Sequence, residues 1–286
     1  MTNAICNEPC LDTMARMPDD FVDLTVTSPP YGNLRDYLGN SNFDFELIAI
    51  ELFRVTKPGG VVVWVVGDVS KDFDESGDSF RQALFFKDIG FKLFDTMIYQ
   101  KTGISYPDRT KYYQIFEYMF VFSKLQRPKT INLLEDRLNT YSGHKISGRE
   151  RRKDGTLKES WGTRNKQRIK QYGIRYNIWS YDTGYNGSYF DDYVAGHPAV
   201  FPEKLAEDHI LSWSNRGDLV YDPFLGSGTT AKSAIYHGRD FMGSEICAEY
   251  FEIASRRVRE ALEKIEREKK LFGGGGKNEA KFCRTA

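Results

Sequence analysis

The sequence predicts an α/β fold built on a mostly parallel sheet. Three observations predict it. Val61-Val62-Val63-Trp64-Val65-Val66 is a continuous apolar run, as a strand covered on both faces requires. Strand-like runs alternate along the chain with amphipathic stretches of helical period. Two short strands, over 22–26 and 219–221, break into loops of unusual stiffness or freedom: Thr27-Ser28-Pro29-Pro30-Tyr31 and Asp222-Pro223-Phe224-Leu225-Gly226-Ser227-Gly228-Thr229-Thr230. Ligands of open α/β sheets bind at such strand ends.

Each element has a local reason. Ala4-Ile5-Cys6 reads as a short strand, and 7–17 as a helix that Pro18 ends. Asp12 fits an ordinary first-turn carboxylate. Residues 22–26 alternate and are β-branched at their centre. Two consecutive prolines cannot continue a sheet ladder, so the chain leaves that strand stiffly at Ser28. The polar segment 32–37 reads either as a loop closing over substrate or as plain surface. Residues 43–56 form an amphipathic helix with Leu47, Ile50 and Phe53 on one face. Lys57-Pro58-Gly59-Gly60 is a turn. Asp68, at the end of the 61–66 strand, reads first as a strand-end cap and second as a site residue.

A helix is predicted over 79–89, closed by Gly90. Strands are predicted over 91–100 and 115–123, with polar residues between them. After a long polar interval, Pro202 opens a helix that runs to Trp213 and stops at Asn215-Arg216-Gly217. A helix over 229–237, a strand over 241–245 and a long charged helix over 249–270 complete the pattern. The glycine run 273–276 and the tail beyond it read as flexible, with no assigned function.

The chain has 286 residues, enough for one large α/β domain with an insertion or for two small domains. Its formal net charge is zero, so attraction to a polyanion requires uneven placement of charge. Residues 126–180 supply that unevenness, with 14 Lys and Arg against 5 Asp and Glu. Arg151, Arg152 and Lys153 lie in one dense stretch, and Arg164, Lys166 and Arg168 in another. Tyr141, Trp161, Tyr172, Tyr176 and Trp179 interleave with them. Such residues neutralise phosphates and reach base edges, so this segment is read as a nucleic-acid surface rather than a solvated basic loop. Cys6, Cys10, Cys247 and Cys283 form no CxxC pair, which predicts free thiols in a reducing compartment and no structural zinc or other metal. No apolar run reaches the length of a membrane span, and the N-terminus lacks the pattern of a signal peptide.

The two loops together resemble the amino-methyltransferases of DNA, and their order, SPPY before the glycine-rich turn, resembles the permuted β class. The resemblance covers most of the chain. It implies a Rossmann-like methyltransferase sheet, mostly parallel with the 91–100 and 115–123 strands as its antiparallel end, and S-adenosylmethionine as cofactor. It also implies site-specific methylation of an exocyclic amine in duplex DNA, by flipping the target base out of the helix. The domain organisation that follows is a catalytic half over 1–124, a target-recognition insertion over 125–196, a cofactor-binding half over 197–271 and a tail over 272–286. The family's usual Gly-Asp-Cys corner reads Glu8-Pro9-Cys10 here, so no adenine contact is carried over to it. His197, before a proline, is read as structural.

The chemistry assigns roles on both sides. On the amine side, Ser28 Oγ and the Pro29 carbonyl accept the two N–H groups of the amine, Pro30 stiffens the loop and Tyr31 stacks on the base. An exocyclic amine is a poor nucleophile because its lone pair is delocalised into the ring. Pulling it toward tetrahedral geometry localises the lone pair, and positioning supplies most of the rate. On the cofactor side, Asp222 and Phe224 frame the turn. Gly226 and Gly228 let backbone approach the methionine part. Thr229 opens a helix whose amides favour a carboxylate, and Glu245 accepts from ribose hydroxyls. Serine in the first motif position resembles the cytosine-N4 enzymes, whereas adenine-N6 enzymes mostly carry aspartate there; adenine N6 is the alternative.

Two rivals stand beside this reading. Gly226-Ser-Gly228-Thr-Thr-Ala231 also satisfies the dinucleotide pattern GxGxxA, but a nicotinamide enzyme explains neither SPPY nor the basic insertion. A catalytically inert nucleic-acid-binding module is the other. The expected setting is the cytoplasm, on the nucleoid and away from membranes. A homodimer and a paired restriction endonuclease are left open.

Overall fold

The computed structural model describes residues 2–30, 43–103, 110–183, 191, 193, 200–272 and 281–284. The chain divides into two compact units, Met1–Asn132 with Asn177–Ala286, and Leu133–Tyr176. The second unit lies inside the interval 125–196.

The elements in chain order are β1 (Ala4–Asn7), α1 (Cys10–Ala15), β2 (Val22–Thr27), α2 (Phe45–Val55), β3 (Thr56–Val66), β4 (Ser70–Lys71), β5 (Asp74–Glu75), α3 (Asp78–Asp88), β6 (Phe91–Lys101) and β7 (Phe116–Lys124). The second unit holds β8 (Arg137–Leu138), β9 (Arg149–Arg151), β10 (Leu157–Glu159), α4 (Trp161–Arg164) and β11 (Tyr172–Gly173). The first unit resumes with β12 (Ile178–Tyr181), α5 (Glu203–Trp213), β13 (Leu219–Asp222), α6 (Thr229–Tyr236), β14 (Asp240–Ser244), α7 (Ala248–Phe272) and β15 (Lys281–Arg284).

The first unit is organised by a nine-stranded sheet of order β12-β6-β7-β3-β2-β13-β14-β1-β15. Every neighbouring pair is parallel except the two made by β7, which runs against both β3 and β6. This is the mostly parallel sheet with an antiparallel end that the family resemblance implies. Strands β2 and β13 are neighbours at its centre, pairing Leu24 with Val220 and Thr25 with Tyr221. From β2 the chain crosses to β3 on one side; from β13 it crosses to β14 on the other. The two motif-bearing loops therefore leave adjacent strands at a topological switch point, where open α/β sheets form their binding crevice.

The core explains why the apolar run at 61–66 is continuous. Val61 to Val66 are buried along their whole length. Trp64, with no exposed surface, meets Phe45, Phe86 and Phe224 edge-on at centroid distances of 5.9, 5.2 and 6.1 Å. Its indole Nε1 donates to Gln82 Oε1 at 2.8 Å, so the polar end of the ring is satisfied as well.

Several expectations are corrected. Lys57-Pro58-Gly59-Gly60 does not interrupt the chain as a free turn. It is a bulge within β3, where pairing with β2 shifts between Val22↔Thr56 and Leu24↔Val61. Gly59 carries a φ of +76° there, and its carbonyl accepts from Lys129 N. Trp179 does not belong to the exposed aromatics of the basic segment. It is buried in β12, against the ring of His209 at 4.7 Å. Sequence reading missed β12 because an edge strand of four residues gives little alternation. The tail is likewise not wholly without structure: Lys281–Arg284 adds a strand parallel to β1, setting Cys6 against Cys283. Asp68 is the cap its first reading assigned, accepting from the Ser79 amide at 3.0 Å and from the Ser76 hydroxyl at 3.1 Å. Pro202 is the N-cap of α5 rather than its first helical residue.

The second unit contributes no residue to the buried apolar core. It is held by short ladders, β9 with β10 and β8 with β11, and by side-chain contacts. The Thr163 hydroxyl donates to the Gly148 carbonyl at 2.8 Å, and the Arg137 guanidinium stacks 4.5 Å over the Tyr176 ring.

Candidate functional site

The two motif loops are joined by one short hydrogen bond. The last residue of β2, Thr27, donates its hydroxyl to Asp222 Oδ1 at 2.6 Å, at the last residue of β13. The same oxygen accepts from the Phe224 amide at 3.0 Å, and the Thr230 hydroxyl donates to the Val26 carbonyl at 3.3 Å. Ser28, Pro29 and Pro30 follow directly, with Pro29 buried and Ser28 and Pro30 half-buried. Tyr31 and the segment 32–37 lie outside the described residues, as does His197. Beside Pro30 opens a cleft of about 750 Å³, lined among others by Phe43, Phe45, Val66, Gly67, Gln82 and Phe85.

Asp222 is buried. Burial pushes its carboxyl up to about 6, against the opposing hydrogen bonds from Thr27, Thr230 and the Phe224 amide. It braces the loops from beneath. Phe224 is half-buried and packs its ring on Trp64 and on Phe43, the latter at 5.7 Å.

The glycine-rich turn closes onto the end of β14. The Leu225 amide donates to the Ser244 carbonyl at 2.9 Å, and the Gly226 amide donates to Glu245 Oε2 at 2.7 Å. Glu245 Oε1 accepts from the Cys247 amide at 2.8 Å. The carboxylate is 8 % exposed, and burial pushes it up to about 7 although both amides favour its charge. An ionised carboxylate offers about four lone-pair sites. The Gly226, Cys247 and Ile246 amides use part of that capacity.

The two glycines have different reasons. Gly226 takes a φ of +52° at the turn, half-buried beside Glu245. Gly228, at φ +85°, is the N-cap of α6 and faces the protein. A Cβ there would lie 3.0 Å from both Cα and Cβ of Ala254. Its lack of a side chain thus lets α7 pack on the turn, rather than opening the backbone to a ligand. Gly228→Ala is expected to cost about 2 kcal/mol, from left-handed strain and from overlap with α7. Urea unfolding measures it, and a loss below about 0.5 kcal/mol would overturn this account.

Thr229 begins α6, and its hydroxyl is turned inward to Arg257 at 2.9 Å. The first-turn amides of α6 have no intrahelical acceptor, and they lie at the positive end of the helix dipole. The donor set fits S-adenosylmethionine: amides for the methionine carboxylate, and a buried carboxylate with acceptor capacity left for a ribose hydroxyl.

Sequence reasoning missed the Thr27 bond and the groups behind the turn: Arg257, Lys232, Asp191 and Glu203. One signal was present. Tyr250, Phe251, Ala254, Val258 and Ala261 form the buried stripe of α7, and Arg257 falls on that stripe rather than on the charged face. Glu8, at the corner where the family pattern fails, turns to α1 and accepts from the Thr13 hydroxyl at 2.6 Å and from Arg16.

In the second unit, Arg151, Arg152, Lys153, Arg164, Lys166 and Arg168 are all exposed. The first three sit on the β9–β10 hairpin, whose turn is closed by the Arg152 amide on the Thr156 carbonyl at 2.8 Å. Arg168 also donates to the Gly143 carbonyl at 2.7 Å. Among the described residues no helix is long and apolar enough to cross a membrane.

Comparison with known proteins agrees with this fold. The PvuII DNA methyltransferase (cytosine-N4-specific) superposes with a TM-score of 0.67, covering 98% of this chain and 95% of that one at 19% identity. The Thermus thermophilus protein TTHA0409, solved complexed with S-adenosyl-L-methionine, superposes with a TM-score of 0.58 at 25% identity, covering 91% of this chain and 96% of that one. The orphan methyltransferase M.BamHII of Bacillus amyloliquefaciens is 57% identical over 243 residues, 84% of this chain and 90% of that protein. The family described as DNA methylase, N6_N4_Mtase, matches residues 22–256. A match of that extent, on a Rossmann-like sheet that sets both motif loops side by side, makes this chain a member of the S-adenosylmethionine-dependent DNA methylase family that modifies exocyclic amines.

Proposed function

We propose that this enzyme methylates cytosine N4 in duplex DNA at a specific sequence. The observation that carries the reading is the 2.6 Å bond from Thr27 to Asp222, which holds the amine-side and cofactor-side loops together. S-adenosylmethionine supplies an electrophilic methyl group on a sulfonium, so the protein's task is alignment rather than activation. Ser28 Oγ and the Pro29 carbonyl accept the two amine N–H groups and draw the nitrogen lone pair out of conjugation. Serine is a weak base, so it orients the amine: the nitrogen–methyl bond forms as the sulfonium–methyl bond breaks to a neutral thioether, and the amine's proton passes to water after transfer has begun. Pro30 fixes the approach of the loop, and Tyr31 is assigned to stack on the base. The cleft beside Pro30 is of the size of small-molecule sites and can receive a base flipped from the duplex.

The choice of cytosine rests on Ser28 and its resemblance to the cytosine-N4 pattern. Adenine N6 is the second reading, since the family includes both reactions. Arg151, Arg152, Lys153, Arg164, Lys166 and Arg168 are assigned to the DNA, as exposed cations on a unit with 12 Lys and Arg against 5 Asp and Glu. The 57%-identical relative is named an orphan methyltransferase, which supports action without a paired endonuclease. With DNA as substrate, the working place is the cytoplasmic nucleoid. A homodimer is not required by this chemistry.

The deciding experiment incubates the protein with labelled S-adenosylmethionine and duplex DNA, then identifies the nucleoside by mass spectrometry. N4-methylcytosine is the expected product. N6-methyladenine would remove Ser28 as a base selector and leave the rest of the mechanism standing.

The assignment of Glu245 to the ribose has a pH signature. Hydroxyl donors favour the carboxylate over the acid, so a cofactor bound there lowers the Glu245 pKa and releases a proton. The free group titrates at about 7. Affinity for S-adenosylmethionine is therefore expected to rise as the pH passes upward through about 7 and to level off above it, with up to about tenfold lost per pH unit below. Calorimetry in two buffers of different ionisation enthalpy reads the proton directly. A flat profile between about pH 6 and 8 would take Glu245 out of the cofactor site.

A further inference from the structure

Among the described residues, Arg257 is the largest charged side chain that is fully buried. Its guanidinium has no exposed surface, and every nitrogen is used. Nη1 donates to the Ser227 carbonyl at 3.0 Å, the Ser227 hydroxyl at 3.2 Å and the Thr229 hydroxyl at 2.9 Å. Nε donates to Asp191 Oδ2 at 2.9 Å, and Nη2 to Glu203 Oε1. The same two carboxylate oxygens accept from Lys232 of α6, at 2.7 and 3.0 Å. Two cations and two carboxylates thus balance behind the glycine-rich turn. Burial would raise Asp191, but the Lys232 hydrogen bond and the nearby Arg257 charge hold it below the usual carboxylate range.

Stability alone does not explain such a cluster. A buried ion network recovers little beyond its own desolvation, and apolar residues of like volume would serve packing as well. What it does give is geometry. A planar fork with five donors fixes the orientation of whatever it binds, and here it binds the turn itself. One arm holds the Ser227 carbonyl and the Thr229 hydroxyl. The rest of the group is anchored to Glu203 at the start of α5 and to Asp191 of the connection after β12.

We propose that Arg257 is a positioning residue for the cofactor. It sets the pose of Ser227 and Thr229, and through them the direction of the first amides of α6. It touches neither substrate nor cofactor. The inference rests on the reading of residues 224–229 and Glu245 as the S-adenosylmethionine site.

The test is Arg257→Lys, measured by calorimetric titration with S-adenosylmethionine, by steady-state kinetics and by thermal unfolding. Lysine keeps a cation for the carboxylates but has no second arm for the turn. The cofactor dissociation constant is expected to rise at least about tenfold, and toward 10²-fold if the turn moves by about 1 Å. The KM for DNA is expected to stay within about twofold, as a site of that kind is not touched. A purely structural role would lower the melting temperature and leave cofactor affinity of the folded protein within about threefold of wild type; that result overturns the proposal. If Arg257→Lys does not fold, Thr229→Val decides. It removes one acceptor of Nη1 with every charge still paired, and an unchanged cofactor affinity overturns the proposal equally. Glu245→Gln in the same titration separates the two levels. If it weakens binding and the Arg257 and Thr229 variants do not, only the positioning role falls; if it leaves binding intact, the site assignment falls first.

Discussion

Ser28→Ala is expected to lower kcat for methyl transfer about 10²-fold while leaving S-adenosylmethionine affinity within about twofold. The serine hydroxyl is one of two acceptors assigned to the amine, and it stands at the end of β2 directly after the residue that bonds Asp222. Without it, one N–H of the amine has no fixed acceptor and the nitrogen relaxes toward the plane of its ring. A hundredfold loss corresponds to about 2.7 kcal/mol of transition-state stabilisation, within the range of one preorganised hydrogen bond in a water-excluded site. The cofactor site proposed above uses groups of β13, β14 and α6 rather than Ser28, so cofactor affinity is a control for folding. Single-turnover methylation with saturating DNA, beside calorimetry with the cofactor alone, measures both. A variant whose single-turnover rate stays within about threefold of wild type would show that Ser28 does not orient the amine.

Trp64→Ala is expected to destabilise the protein by about 4 kcal/mol and to lower its melting temperature by about 10 °C. The indole is wholly buried and closes the gap between α2, α3 and the glycine-rich turn, through Phe45, Phe86 and Phe224. Three edge-on rings around one centre cannot collapse into the space left by a methyl group, so most of the cavity persists. Gln82 Oε1 also loses its donor. Because Phe224 is one wall of this cluster, S-adenosylmethionine is expected to restore part of the lost melting temperature by mass action, and at a higher concentration than wild type requires. Trp64→Phe, which keeps most of the volume, should lose less than half as much. A melting temperature within about 3 °C of wild type for the alanine variant would mean that the cluster repacks.

Local chemistry made much of the first unit legible. Valines at 61–63 and 65–66 announce a strand covered on both faces whatever covers it. Pro29 and Pro30 end β2 for reasons confined to their own rings. Residues 91–100 and 115–123 read as strands from their own pattern, and their antiparallel pairing, which the family resemblance implied, is what the sheet shows. The spacing from Gly226 to Glu245 was visible, and the structure joins the two by a 2.7 Å bond. Where the reading failed, a partner distant in sequence decided the outcome. Trp179 looks like one more aromatic among basic residues until β6 supplies a strand for β12 to pair with. Gly228 looks like a ligand-facing glycine until Ala254 of α7 arrives against it. Lys281–Arg284 follows a glycine run and has too few residues to show a pattern, yet β1 offers it an edge.

The sequence by itself determined most of the central strands and the helices of the first unit, where two loops of special backbone chemistry interrupt them, and that positive charge gathers in one stretch. Those properties depend on residues a few positions apart, through side-chain period, proline and glycine geometry, and composition. Only the tertiary structure decided that β2 and β13 are neighbours, that Thr27 and Asp222, 195 residues apart, share a hydrogen bond, and that an arginine on the apolar stripe of α7 grips the turn from behind. Such pairings are chosen by burial and by the satisfaction of polar groups across the whole fold. No local pattern encodes them, and they bring the two halves of the site together.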